Sequence, residues 1–289
     1  RLDSPLRYPG GKTSLAPFFA ELIRLNKLGD CIYAEPYAGG AGAALSLLYA
    51  EKVSRVLIND ADPRVHAFWW AVTRRNRRFR ELIHQTPLTV DQWREQREVY
   101  RRPNRFGKLR VGFATFFLNR CNRSGIMVNG GPIGGYGQRG KWKIDARFNR
   151  EALAERVRKV ALFAERIELS NLDAAAFLSK VAAPAARRND GRALVYLDPP
   201  YYGKGRLLYM NYYPHEDHRN LARLLKRPKP YRWVLSYDNA PQINQLYAGF
   251  ERTPFDLAYT AYEQRRGEEV MIHSPGLHIP ARRLPAACA

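Results

Sequence analysis

Cysteine is scarce in this chain of 289 residues: Cys31, Cys121 and Cys288 are odd in number and far apart. That excludes a disulfide framework and a Cys-rich zinc site, and it suits a reducing compartment. Histidine is sparse too, with six in all. The one close pair, His215 and His218, has no further ligand near it, so no metal site is expected. No apolar run approaches the ~20 residues that span a bilayer, and nothing resembles a signal peptide. Acids are outnumbered, 27 Asp and Glu against 48 Lys and Arg, for a formal net charge of +21 and a pI of about 10.2.

What is present is unevenly spread. Residues 63–147 hold 19 basic residues and five acids, so two thirds of the excess charge lies in less than a third of the chain. Twelve aromatics are interleaved with those charges, among them Trp69, Trp70, Trp93 and Trp142. A concentrated basic, aromatic segment points to a polyanionic partner, most often nucleic acid. The length fits one domain plus an insertion better than two equal domains. The expected division is residues 1–62 and 148–289 as one unit, with 63–147 inserted.

Outside the insertion the pattern is that of a parallel α/β sheet. A strand over 31–34 runs into a glycine loop and a helix from about Ala43, and "RVLIND" is a second strand ending on Asp60. "REALAERVRKVALFA" is helical, "RIELSNLD" is a strand ending near Asp173, and "ALVYLDPPYY" is the next strand. "YRWVLSYDN" follows a helix around 221–225, and the tail reads as two strands joined at Arg266-Gly267. "AAPAARRNDG" reads as a surface linker. The insertion reads as mostly helical, with an extended or hairpin-like stretch over 125–143 that could enter a groove as a ribbon.

Three short stretches carry chemistry. In "EPYAGGAG" (35–42), glycines between a strand and a helix let the backbone approach a ligand and aim its N–H groups at it, although a turn kept for packing has the same look. Asp60 then supplies the acid that a ribose hydroxyl pair needs, or else caps the following helix. "RYPGGKTSL" (7–15) fails the P-loop pattern, because Leu6 stands where the first glycine should be. Gly10, Gly11 and Lys12 still offer N–H groups and a cation to an anionic group. In "DPPY", Pro199 and Pro200 lack N–H donors, so Asp198 and the backbone carbonyls are acceptors at fixed angles, suited to an –NH2. Tyr201 adds a flat face for a planar ring. An exocyclic amine on a heterocycle uses all of these together.

In the order "RYPGGK", "EPYAGG", Asp60, "FFLNRCNRSG" and "DPPY", over most of 6–274, the chain resembles the Dam-like (D12 class) DNA adenine-N6 methyltransferases. "WVLSYDNAPQINQLYAGF" is similar to that family's later strand and helix, with Tyr237 where asparagine is common. The resemblance implies a Rossmann-like seven-stranded sheet whose last strand, from the tail, is antiparallel. It also implies S-adenosyl-L-methionine as cofactor, double-stranded DNA as substrate, and residues 63–147 as the target-recognition domain. By the same resemblance Tyr8, Gly10, Gly11, Lys12, Glu35, Pro36, Tyr37, Gly39, Gly40, Asp60 and Asp198 line the cofactor site, and Asp173 lies near the cofactor's adenine. Asp198, Pro199, Pro200 and Tyr201 form the catalytic motif. Asn119, Arg120, Asn122, Arg123, Ser124 and Arg139, with Gly125 and Lys141 alongside, are the candidates for DNA contact.

The implied protein is a monomer, cytoplasmic and DNA-associated, of prokaryotic or phage type. Either a partner restriction endonuclease or a solitary role fits. The same acceptor geometry would serve RNA or cytosine N4, and a catalytically silent DNA-binding module is the non-enzymatic alternative. The basic insertion and its Asn-Arg segment, placed before "DPPY", favour DNA adenine.

Overall fold

The computed structural model describes residues 3–7, 12–127, 130–202, 214–257 and 267–280. Tyr8, Gly10, Gly11, Cys288 and the expected turn at Arg266 therefore lie outside the described residues, and only the backbone of Lys12 is described.

Seven strands form one sheet: β1 (Ile32–Glu35), β2 (Arg55–Asn59), β3 (Ile167–Ser170), β4 (Ala193–Leu197), β5 (Arg232–Asp238), β6 (Arg252–Leu257) and β7 (Gly267–His273). Their order is β3-β2-β1-β4-β5-β7-β6. The first five are mutually parallel, and β7 runs antiparallel between β5 and β6. This is the expected seven-stranded α/β sheet with an antiparallel tail strand. The order reverses at β1, which has β2 on one side and β4 on the other, and the crevice beyond such a switch point is where ligands bind in open α/β sheets.

Side-chain alternation sends each strand's residues to two cores. Tyr33, Val56, Ile58, Leu194 and Tyr196 face one, and Ala34, Leu57, Val195 and Leu197 face the other. The first core is covered by α1 (Ala16–Leu25), α2 (Gly42–Tyr49), α3 (Pro63–Arg74), α4 (Asn76–Gln85), α5 (Val90–Arg101), α6 (Lys108–Cys121) and α7 (Arg150–Leu162). The second is covered by α8 (Ala174–Phe177), a π turn over Leu178–Ala182, α9 (Ala183–Arg188), α10 (His215–Lys226) and α11 (Pro241–Leu246). The stretch read as a surface linker is thus helical at α9. Ala183, Ala185 and Ala186 are small enough to bury their face against the sheet, a pattern that polar neighbours hid in the sequence.

The segment 63–147 is helical, but it does not keep a core of its own. Phe68, Trp69, Phe79, Trp93, Phe113, Phe116 and Phe117 belong to the same buried cluster as the sheet residues Tyr33 and Tyr196. Most of its aromatics are therefore core. The expected hairpin over 125–143 is absent among the described residues, which form turns and one isolated bridge, Asn122 to Pro132.

Helices α3 and α6 approach closely at Gly112, where a Cβ would collide with the carbonyl of Ala67 and lie 2.8 Å from Cα of Phe68. Alanine is the better helix former by about 1 kcal/mol, yet the backbone opposite cannot yield as a flexible side chain would. Gly112→Ala is expected to destabilise the protein by roughly 1–3 kcal/mol, read as a lowered midpoint in urea unfolding.

Candidate functional site

The crevice is built from the ends of β1, β2 and β4. Asn59, fully buried at the end of β2, ties the loops together. Its amide nitrogen donates to the carbonyls of Pro36 and Leu172, both at 2.9 Å. Its oxygen accepts from Ser170 Oγ at 2.9 Å and from Leu172 N at 3.0 Å. Its own carbonyl accepts from Ala38 N at 2.9 Å. Two carbonyls on one side and two donors on the other leave a single amide orientation.

The glycine loop is wound through left-handed conformations at Gly39 (φ 46°) and Ala41 (φ 45°). It is tethered on several sides. Trp69 Nε1 donates to the Gly39 carbonyl at 2.9 Å, and Ser4 Oγ donates to that of Gly40 at 2.5 Å. Gly39 N donates to Asp60 Oδ2 at 2.9 Å. At Gly42 a Cβ would strike Thr13 Oγ1, so glycine lets the turn after Lys12 dock on the start of α2.

Asp60 is not a helix cap. Asp62 caps α3 by accepting from Arg64 N at 2.9 Å, which leaves Asp60, partly buried, holding Gly39 N and Asp62 N. Desolvation pushes its pKa up to about 7. Glu35, 5 % exposed, accepts from Ala44 N at 3.1 Å in the first turn of α2. Its pKa is pushed up to about 8, chiefly by burial, with the nearby Asp198 carboxylate adding to the effect. Pro36 is buried and Tyr37 half-buried in the same loop. Asp173, by contrast, is exposed and caps α8 through Ala176 N at 2.9 Å.

At the end of β4, Ser236 of β5 donates to Asp198 Oδ1 at 2.8 Å and lies 2.8 Å from the Tyr196 hydroxyl. Pro199 is buried and Pro200 partly so. The Tyr201 hydroxyl donates to Glu269 Oε1 of β7 at 2.5 Å, and its ring is only 8 % exposed. Tyr201 as a whole is thus buried, with its hydroxyl tied to β7 across the end of β5, and it offers little open face for the stacking expected of it. Tyr202 N donates to Asp238 Oδ1 at 2.9 Å. Ser236 and Glu269 were not among the expected site residues. Glu269 left little signal, being the second of two adjacent acids at the start of "GEEVMIH".

The candidates for DNA contact divide. Asn119 is 2 % exposed, and it clamps Arg7 by accepting from its N–H at 2.7 Å and donating to its carbonyl at 2.5 Å. Arg120, 4 % exposed, donates to the Pro5 carbonyl at 2.9 Å through Nε and again through Nη2. Burial, with Arg156, Arg7 and Arg147 nearby, lowers its pKa. Asn122 is 1 % exposed and holds Trp93 Nε1 and the Ile126 carbonyl, both at 2.7 Å. These three are structural posts, since their polar groups are engaged where no base edge reaches. Gly125 (φ 71°) is buried in the turn that follows them, its N–H donating to the Asn122 carbonyl at 3.1 Å. Arg123, Ser124, Arg139 and Lys141 are exposed. Elsewhere on the segment, cations lie over rings: Arg97 over Trp93 at 5.0 Å, Arg110 over Phe106 at 4.7 Å and Lys108 over Trp70 at 5.8 Å.

His215 and His218 each face a tyrosine. His218 Nδ1 pairs with the Tyr237 hydroxyl at 2.7 Å and His215 Nδ1 with that of Tyr202 at 3.1 Å. No group of three potential ligands occurs among the described residues. Among them too, no helix is long and apolar enough to cross a membrane.

The family model of the D12 class N6 adenine-specific DNA methyltransferases matches residues 8–260. No curated protein matches the chain. Two solved structures of the rRNA methyltransferase aviRa from Streptomyces viridochromogenes are similar to it. One is 15% identical over 88% of this chain and 82% of that one, with a TM-score of 0.35. The other is 17% identical over 92% and 86%, with a TM-score of 0.37. Likeness at that level bears on neither substrate nor mechanism.

Two outcomes follow from the buried polar groups. Asn59→Ala strands the Pro36 and Leu172 backbone groups and is expected to cost roughly 3 kcal/mol or more. Asn59→Asp, which sets a carboxylate against two carbonyls, is expected to cost more still by urea unfolding. Glu35 binds its proton more tightly folded than unfolded. Its contribution to stability is therefore complete below the unfolded value of about 4.3 and is lost as pH rises through about 8. Measured from pH 5 to 8.5, the wild-type protein is expected to lose stability relative to Glu35→Gln.

Proposed function

The chain belongs to the D12 class N6 adenine-specific DNA methyltransferase family and is an adenine-specific DNA methyltransferase, and we propose that it moves the methyl group of S-adenosyl-L-methionine to N6 of an adenine extruded from double-stranded DNA. The observation that carries the finer reading is the chain Tyr196–Ser236–Asp198, which holds an acceptor carboxylate at the end of β4 beside the glycine loop of β1.

The residues at the switch point fit the cofactor. Each Asp60 oxygen accepts one backbone N–H and keeps a second lone pair, as ribose hydroxyls require. Asp60, Glu35, Pro36, Tyr37, Gly39 and Gly40 would hold it, and the family resemblance adds Tyr8, Gly10, Gly11 and Lys12. A cationic ligand would relieve the cost of ionising Glu35 and Asp60, whose pKa values desolvation raises. When bound, S-adenosylmethionine supplies an electrophilic methyl on a sulfonium.

Adenine N6 lies inside the duplex stack, and taking the nucleotide out costs a few kcal/mol. Asp198 and the Pro199 carbonyl accept the two N6 hydrogens, which directs the nitrogen lone pair outward. Ser236 fixes one carboxylate oxygen, and the Tyr201–Glu269 bond fixes the backbone that follows. Tyr201 thus serves as an anchor for the motif. Catalysis is positioning and electrostatics, with no covalent enzyme intermediate. Arg123, Ser124, Arg139 and Lys141 remain as exposed contacts to the duplex, and affinity should fall steeply with salt.

Asp198→Ala is expected to lower tritiated methyl transfer into plasmid DNA by roughly a hundredfold or more, with duplex affinity in a gel shift unchanged. Wild-type turnover by that variant would remove the assignment, and tritium recovered in N4-methylcytosine would replace the target base.

A further inference from the structure

Five large apolar side chains are exposed among the described residues, and three of them, Ile126, Tyr136 and Trp142, fall within seventeen residues of one another in the basic segment. Water-facing apolar groups so clustered mark a contact surface more often than chance. The loop that carries two of them is glycine-rich, yet its backbone is folded on itself.

Gln138 is the organiser of that loop. From a left-handed backbone (φ 49°) its amide donates to the carbonyls of Ile133 at 2.8 Å and Gly135 at 2.6 Å, and its oxygen accepts from Ile144 N at 2.9 Å. Lys143 Nζ caps the Gln138 carbonyl at 2.5 Å. Ile133 and Ile144 are buried beneath, and Ile133 N donates to the Cys121 carbonyl at 2.8 Å, fastening the loop to the end of α6. At Gly140 a Cβ would lie 3.0 Å from Cα of Gly134, so two turns of the loop cross in contact. Tyr136 packs edge-on against Trp93, with ring centroids 5.7 Å apart. Trp142 stands out from this frame, 66 % exposed, with the Lys141 ammonium 5.8 Å from its ring.

We propose that residues 130–144 are a preformed stacking platform and that Trp142 is its contact with a nucleobase of the substrate duplex. The inference rests on the DNA reading above. The surrounding charge fits that partner: Arg139 and Lys141 are exposed beside the ring, within a segment of 19 basic and five acidic residues. An indole held ready on a rigid loop loses little freedom on binding, and a base has a π face whatever its sequence.

The test uses the full chain and a duplex oligonucleotide with one unpaired adenine. Of the other four tryptophans, Trp69, Trp93 and Trp233 are 1 % exposed and Trp70 is partly buried, so Trp142 is the most exposed source of quenchable emission, and the Trp142→Phe variant isolates its share. Adding the duplex is expected to quench that emission in the wild type, and Trp142→Phe should lose most of the change while binding within roughly threefold. Trp142→Ala is expected to bind about tenfold or more weakly, in line with one lost stack. Gln138→Ala, which keeps the indole and removes its frame, should weaken binding similarly. Unaltered affinity in Trp142→Ala, or full quenching in Trp142→Phe, overturns the stacking contact. Unaltered affinity in Gln138→Ala overturns the preformed platform. A wild-type protein that fails to bind the duplex overturns the DNA reading on which both stand.

Discussion

One buried amide holds the crevice in shape. Asn59 meets the loops after β1 and β3 with five hydrogen bonds, counting its own carbonyl, at a point where no water is available to replace them. A strand end of this kind would otherwise leave Pro36, Ala38 and Leu172 with unanswered backbone groups. Because Asn59 answers them, the next residue, Asp60, is free to grip Gly39, and the glycine loop acquires a defined course. The course of the loop is thus set one layer below its surface, by a fully buried side chain.

Much of this fold was legible because its signals are local. Apolar runs ending on acids announced the strands, and "EPYAGG" and "DPPY" announced where the crevice opens. What stayed hidden was set by distant partners. Nothing near Ser236 or Glu269 in the chain says that one would meet Asp198 and the other Tyr201. Asn119, Arg120 and Asn122 misled for the opposite reason. Their types are those that read bases, but only burial shows that their donors are already taken. Charge and aromatic content drew attention to residues 63–147. It was less evident that the rings of Trp69 and Phe116 serve the same core as the sheet.

The "DPPY" stretch shows the same division between what a residue offers and what holds it. Asp198 is held by Ser236 on the neighbouring strand, and Tyr201 by Glu269 on the antiparallel strand. Because β7 is antiparallel to β5, it begins beside the end of β5, and Glu269, near that start, pairs with Asp238 and reaches the Tyr201 hydroxyl. The tail strand is thus part of the motif's support as well as an edge of the sheet.

The clamp of Asn119 on Arg7 has a consequence for exchanging specificity between relatives. Helix α6 looks like part of a module that could be lifted out with residues 63–147, yet its last turn is bonded to the stretch leading into "RYPGGK". A chimaera cut at the start of α3 would sever Trp69 from Gly39 and Asn119 from Arg7 together, carrying off the supports of both glycine loops. The loop beyond α6 is fastened to that same last turn, through Asn122 to the Ile126 carbonyl and through Ile133 N to the Cys121 carbonyl, so helix end and loop move as one piece.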